Sequence, residues 1–209
     1  MLNNDMNHEL ISLIQSFSEK YTKKEERALL ALKLNQAYFF MKEFDFVATN
    51  LKENLKSLSK ENELYNDFLD GLTTIMLFNK KHDELEILAD VFLSLKKEEF
   101  VKAIDKLTLL DNSTNDMILN LSIYYKSYAY IKLADYESAL SELATIRGND
   151  IFKQLGILLL AEINHYVNND IGKAVDIYLD FLEFYDDSIY YEDIRIRLAD
   201  IIGWKTSDK

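Results

Sequence analysis

Apolar residues recur at helical rather than alternating spacing along almost the whole chain. Leu29, Leu30, Leu32 and Leu34 run into Tyr38 and Phe39, and Ile118, Leu121, Tyr125 and Tyr128 mark the stripe of another helix. Short polar clusters interrupt this pattern at Lys23-Lys24, Asn79-Lys80-Lys81, Asp111-Asn112-Ser113, Arg147-Gly148-Asn149-Asp150 and Asn168-Asn169-Asp170. The interruptions divide the chain into about 11 helices. No linker longer than a few residues separates them, so the pattern predicts one α-helical domain over residues 1–209, with Asp111-Asn112-Ser113-Thr114 as its best hinge.

Three helix starts read alike: Glu99-Phe100-Val101-Lys102-Ala103, Asp135-Tyr136-Glu137-Ser138-Ala139 and Asp170-Ile171-Gly172-Lys173-Ala174. Each has an acidic residue, an apolar staple, two spacers and an alanine. The alanines lie 36 and 35 residues apart, close to the roughly 34-residue period of helix–turn–helix repeats. Alanine suits a point where two antiparallel helices approach closely. Ser127 and Tyr130 precede Asp135 on the helix before, and Leu107, Leu143 and Tyr178 follow the alanines at one offset. The clearest units are 84–112, 120–148 and 155–183, with a capping helix over 187–203. Upstream, Leu34, Tyr38 and Phe44 fit the same frame with Val47 in place of the alanine, whereas 61–82 fits poorly.

Composition narrows the fold further. The 209 residues include five glycines, no proline and no cysteine, where average usage predicts about 15 glycines and about 10 prolines. Tight β-turns depend on both residues, so an all-β or α/β fold is disfavoured. Without cysteine there is no disulfide, thiolate metal site or cysteine nucleophile. The net charge of −12 argues against nucleic acid or an anionic membrane as partner. Lys52, Lys56 and Lys60 share a spacing, but Glu53 and Glu61 flank them, which makes an ordinary charged face. Met1 to Asp5 carry no basic n-region, and the apolar run Ile157–Val167 is interrupted by Glu162 and His165. No signal peptide or membrane insertion is expected, and the chain reads as soluble, cytoplasmic by default.

The small residue and tyrosine on a first helix, followed by Asp-Tyr-x-x-Ala opening a second, resemble the tetratricopeptide repeat. Residues 120–148 match best and 155–183 next. The latter departs from the pattern, with Glu162 at the usual small position and His165 at the usual tyrosine position. The resemblance implies an all-α solenoid of helical hairpins. A narrower likeness rests on the order of Leu88-Ala89, Tyr130 to Tyr136, Ala161-Glu162, Asn168-Asn169-Asp170 and Arg197 to Ile201. That order looks like the repeat domain of the ancillary subunit of the bacterial SecYEG translocon, which implies chaperone-like handling of secretory or envelope proteins. A periplasmic or inner-membrane-associated place would follow through an anchor that this sequence lacks.

Candidate chemistry is sparse. Glu162 and His165 have the Glu-x-x-His spacing of di-iron bundles, but His8 and His82 lack a matching glutamate. His165 is therefore expected to be a buried, hydrogen-bonded histidine, and no metal or cofactor is predicted. No phosphate loop, zinc-protease motif or nucleophile elbow occurs, so no catalytic residue and no enzyme activity are expected. The frame set by Ala139 places Leu121, Tyr124, Tyr128 and Ile131 toward a concave groove. The frame set by Ala174 places Gly156, Leu159, Ile163 and Tyr166 there. These are apolar or aromatic, which disfavours a carboxylate clamp and suggests a face for a protein or peptide partner. The alternative is that the chain fills its own groove, through a terminal stripe of Tyr190, Ile194, Leu198 and Ile201. The first reading gives a non-catalytic adaptor, the second a structural subunit acting in oligomer assembly.

Overall fold

A computed structural model of the chain describes residues 24–78 and 81–203, with helical positions at 9, 11–13 and 16. The readings at Met1 to Asp5, His8, Lys23 and Asn79-Lys80 lie outside the described residues. Among those described there is no strand, and ten α-helices, one 3₁₀ turn and one π-turn supply the regular structure. No described helix is long and apolar enough to cross a membrane. The helices gather into two compact units, residues 1–98 and 99–209, although no linker marks the junction in the sequence.

The first unit holds α1 (Lys24–Phe40), α2 (Phe44–Ser57), α3 (Tyr65–Phe78) and α4 (His82–Lys96). Val47, Leu51 and Phe68 form its centre with Ala28. The segment 61–82, a poor match to the repeat, contributes α3, which packs on both α2 and α4. Because α2 ends at Ser57, Lys60 lies beyond it, and the expected lysine face is two residues rather than three. Lys42 in the α1–α2 turn reaches Glu86 of α4 at 2.9 Å. Burial works against its charge, but Glu86 and Asp90 outweigh burial and hold its pKa above the ordinary lysine value.

The second unit runs α5 (Phe100–Leu107), the 3₁₀ turn Thr108–Leu110, α6 (Asp116–Lys132), α7 (Tyr136–Leu143) and α8 (Ile151–Glu162). The π-turn Ile163–Val167 prolongs α8, and α9 (Ile171–Phe184) and α10 (Tyr191–Ile201) follow. From α5 to α10 each helix packs on its successor, and α6 also packs on α8. The recurrent acidic residues act as N-caps. The Asp135 carboxylate accepts from Ser138 N–H at 3.1 Å, and that of Asp170 from Lys173 N–H at 3.0 Å. Asp150 does the same for α8 with Lys153 N–H at 2.9 Å. Glu99 makes no such side-chain bond. The alanines Ala103, Ala139 and Ala174 are all at 0% exposure. The terminal helix starts at Tyr191 rather than 187, because the hydroxyl of Ser188 accepts from Tyr190 N–H in a turn and donates to Gln154 Oε1.

One turn recurs with little change. Lys42, Glu98, Ala134 and Asn169 adopt left-handed φ values of 66°, 58°, 58° and 51°. Each lies two residues before the first residue of α2, α5, α7 or α9. At Ala134 the geometry is a helix stop: Ala134 N–H bonds Ile131 C=O at 2.9 Å and Asp135 N–H bonds Tyr130 C=O at 2.9 Å. Glycine would usually occupy such positions, and only Asn169 is a residue that tolerates them well. Ala134→Gly is therefore expected to raise stability by about 0.5–1 kcal/mol, since relief of left-handed strain exceeds the added chain entropy. Urea denaturation would register it as a higher midpoint at unchanged slope.

Candidate functional site

The second unit carries the face that the alanine frame points to, but the 155–183 hairpin is built one residue longer than 120–148. Asp135 N–H reaches back to Tyr130 C=O, whereas Asp170 N–H reaches Asn164 C=O at 2.9 Å. The extra residue is absorbed by the π-turn 163–167. Upstream of it, the small position corresponding to Ser127 is Ala161, not Glu162. Ala161 is at 0% exposure and packs in one cluster with Ala174, as Ser127 sits against Ala139 through its hydroxyl. The departure at Glu162 is therefore a one-residue offset, whereas the position equivalent to Tyr130 falls on the buried Asn164.

The shift redistributes the expected groove residues. Leu121 and Ile163 are buried at 1% and 3% exposure, and Gly156 is buried too, with Ile146 Cδ1 only 2.7 Å from where a Cβ would stand. These three present little or no surface to a partner. Ile131 and Leu159 pack against the Ala139–Leu143–Ile163 cluster. Tyr128 is half-buried, with Lys132 Nζ 5.3 Å above its ring. Tyr124, Leu159 and Tyr166 do line cavities.

Tyr124 and Leu159 share a cavity of about 260 Å³ with Leu155, Leu158, Glu162 and, on the far wall, Tyr190 with Ile194 and Arg197 of α10. Burial, with Tyr190 and Glu162 close by, pushes the Tyr124 hydroxyl above the ordinary tyrosine value. Past the end of α8, in the π-turn, Tyr166 opens a second hollow of about 670 Å³ with His165, Ile171, Ile196, Asp200 and Ile201. Asp193 and Arg197 border both hollows. The two hollows neighbour each other along the groove between α8 and α10, with the ion pair of Arg197 and Glu162 at their border. Arg197 also stands beside the hydroxyl of Tyr178, whose pKa burial raises against that neighbour.

The terminal stripe is engaged within the unit. Ile194 and Leu198 belong to the cluster of Ala161, Ala174, Tyr178 and Phe181, and Tyr190 and Ile201 pack against it. This leaves the opposite edge of α10, with Ile196 at 48% exposure, facing the hollow beside Tyr166 at 65%. His165 is half-buried and stacked on Tyr166 with ring centroids 4.2 Å apart. Its Nδ1 has no hydrogen-bond partner among the described residues, contrary to the expected satisfied histidine, because the π-turn rotates it out of the core tyrosine position. Glu162 pairs with Arg197 rather than with His165. Among the described residues no group of three or more acidic or histidine side chains could hold a metal ion.

A buried polar set on α6 had no signal in the sequence. Lys126 is at 4% exposure and bonds both oxygens of Asp111 at 2.6 and 2.7 Å, with Glu142 at 3.8 Å. Asn120 donates to Arg147 C=O at 2.6 Å and to Asp150 Oδ2 at 2.7 Å. These contacts fix the loop before α6 and the loop after α7. A lysine amid helical charge reads as solvated, so only its contacts reveal this role. In the first unit, a further cavity of about 400 Å³ is lined by Asn35, Phe39, Phe40, Val47, Leu51 and Phe92, among others. No protein-family description, curated protein or solved structure matches the chain.

Proposed function

We propose that this protein is a non-catalytic adaptor of the tetratricopeptide kind, which takes a segment of another polypeptide into the groove between α8 and α10. The observation that carries this reading is a set of exposed apolar and aromatic side chains in a mixed lining: Tyr166, Ile171 and Ile196 are 65%, 51% and 48% exposed and border one hollow. Exposed apolar clusters of this kind mark interaction sites. The repeating left-handed turn, the buried alanines and the packing of each helix on its successor support a repeat scaffold behind the groove. On the narrower resemblance, the partner would belong to secretion or envelope protein handling. A second reading, a structural subunit in oligomer assembly, draws support from the terminal stripe, which is already packed against α8 and α9.

Photo-crosslinking separates the two. A benzophenone side chain replacing Tyr166 is expected to give adducts with other polypeptides in cells, and one replacing the exposed Leu179 of α9 is not. Adducts only between copies of this chain would favour the structural subunit. Identical adducts from both positions would remove the groove from the adaptor reading.

A further inference from the structure

Resting on that reading, we propose that the segment bound in the α8–α10 groove is basic as well as apolar, with cations flanking its apolar residues. The apolar floor is Tyr166, Ile171 and Ile196, and the carboxylates at its border are Asp193 and Asp200. Neither takes part in an ion pair among the described residues. Arg197 lies between them in sequence, but its guanidinium is held by Glu162 across the groove and beside the Tyr178 hydroxyl. The groove therefore presents uncompensated negative charge next to exposed apolar surface. Asp193 and Asp200 are seven residues apart, so they share one face of α10 and stand about 10 Å apart along its axis. That distance is spanned by roughly three residues of extended chain. A segment whose basic residues flank apolar ones would set an apolar side chain against Tyr166 and Ile196 while its cations meet the two carboxylates. The overall charge of −12 would draw such a segment in from a distance.

The test uses three fluorescein-labelled twelve-residue peptides with identical Phe-Leu pairs, flanked by Lys, Gln or Glu. Fluorescence anisotropy with the full chain is expected to show the Lys peptide binding about tenfold more tightly than the Gln peptide at low salt. That preference should shrink at high ionic strength, and the Glu peptide should not bind. D193N/D200N should weaken the Lys peptide about fivefold or more, whereas D176N/D180N, the same charge change on the exposed side of α9, should leave it within about twofold. Equal binding of the Lys and Gln peptides would overturn the basic partner while leaving a groove that takes apolar segments. Equal losses in both aspartate pairs would overturn it too, by assigning the attraction to net charge alone. If no peptide binds, the inference fails, and the crosslink at residue 166 then decides whether the groove reading fails with it.

Discussion

Asp111→Ala is expected to destabilise the protein by about 3 kcal/mol, the low end of the range for breaking a buried ion pair. The cost comes from what remains. Lys126 is at 4% exposure, and without Asp111 its ammonium keeps only Glu142 at 3.8 Å. Ser122 also loses its 3.4 Å contact to Asp111, but it retains Leu107 C=O at 3.0 Å. Half of the Asp111 carboxylate already faces water, at 45% side-chain exposure, which is why the low end applies. Lys126→Met should behave differently, costing no more than about 1 kcal/mol, because it leaves no buried charge and a carboxylate that water can reach. Adding Lys126→Met to Asp111→Ala should recover most of the loss. Urea denaturation of the three variants measures this order. If Lys126→Met proves as costly as Asp111→Ala, the pair contributes net stability, and burial of the lysine is not the dominant effect.

The helical periodicity, the polar breaks and the alanine spacing were legible because each is a short-range signal with a direct physical cause. An aspartate before an apolar staple is an N-cap, and an alanine at a close helix contact is small for a steric reason. What escaped was whatever depended on one residue more or less, or on a long-range contact. A π-turn carries no residue signature, so the frame counted back from Asp170 ran one residue out of step through α8. It named Gly156 and Ile163 where Leu155 and Glu162 line the cavity. The left-handed turns were masked by composition: with few glycines in the chain, Lys42, Glu98 and Ala134 hold positions that glycine would have announced. Lys126 reads as surface charge until Asp111 and Glu142 are seen around it.

The largest loss is expected from the terminal helix. Ile194 and Leu198 lie at 4% and 7% exposure against Ala161, Ala174, Tyr178 and Phe181. Removing a buried Leu or Ile side chain costs about 2–5 kcal/mol through lost transfer energy and the cavity left behind. Ile194→Ala with Leu198→Ala should therefore cost about 4 kcal/mol or more, with some coupling because both contact the same cluster. Tyr166→Ala, at 65% exposure, should change stability by only about 0.5 kcal/mol, mostly through the lost stack on His165. Chemical denaturation of the two variants is the measurement. A large loss in the first with little in the second makes α10 a fixed wall of the groove and leaves the Tyr166 ring available to a partner. A small loss in the first would mean that α10 can leave its seat, and that the cavity between Tyr124 and Ile194 is open to other chains. A large loss in the second would tie Tyr166 to the fold, which would move the balance toward the structural subunit.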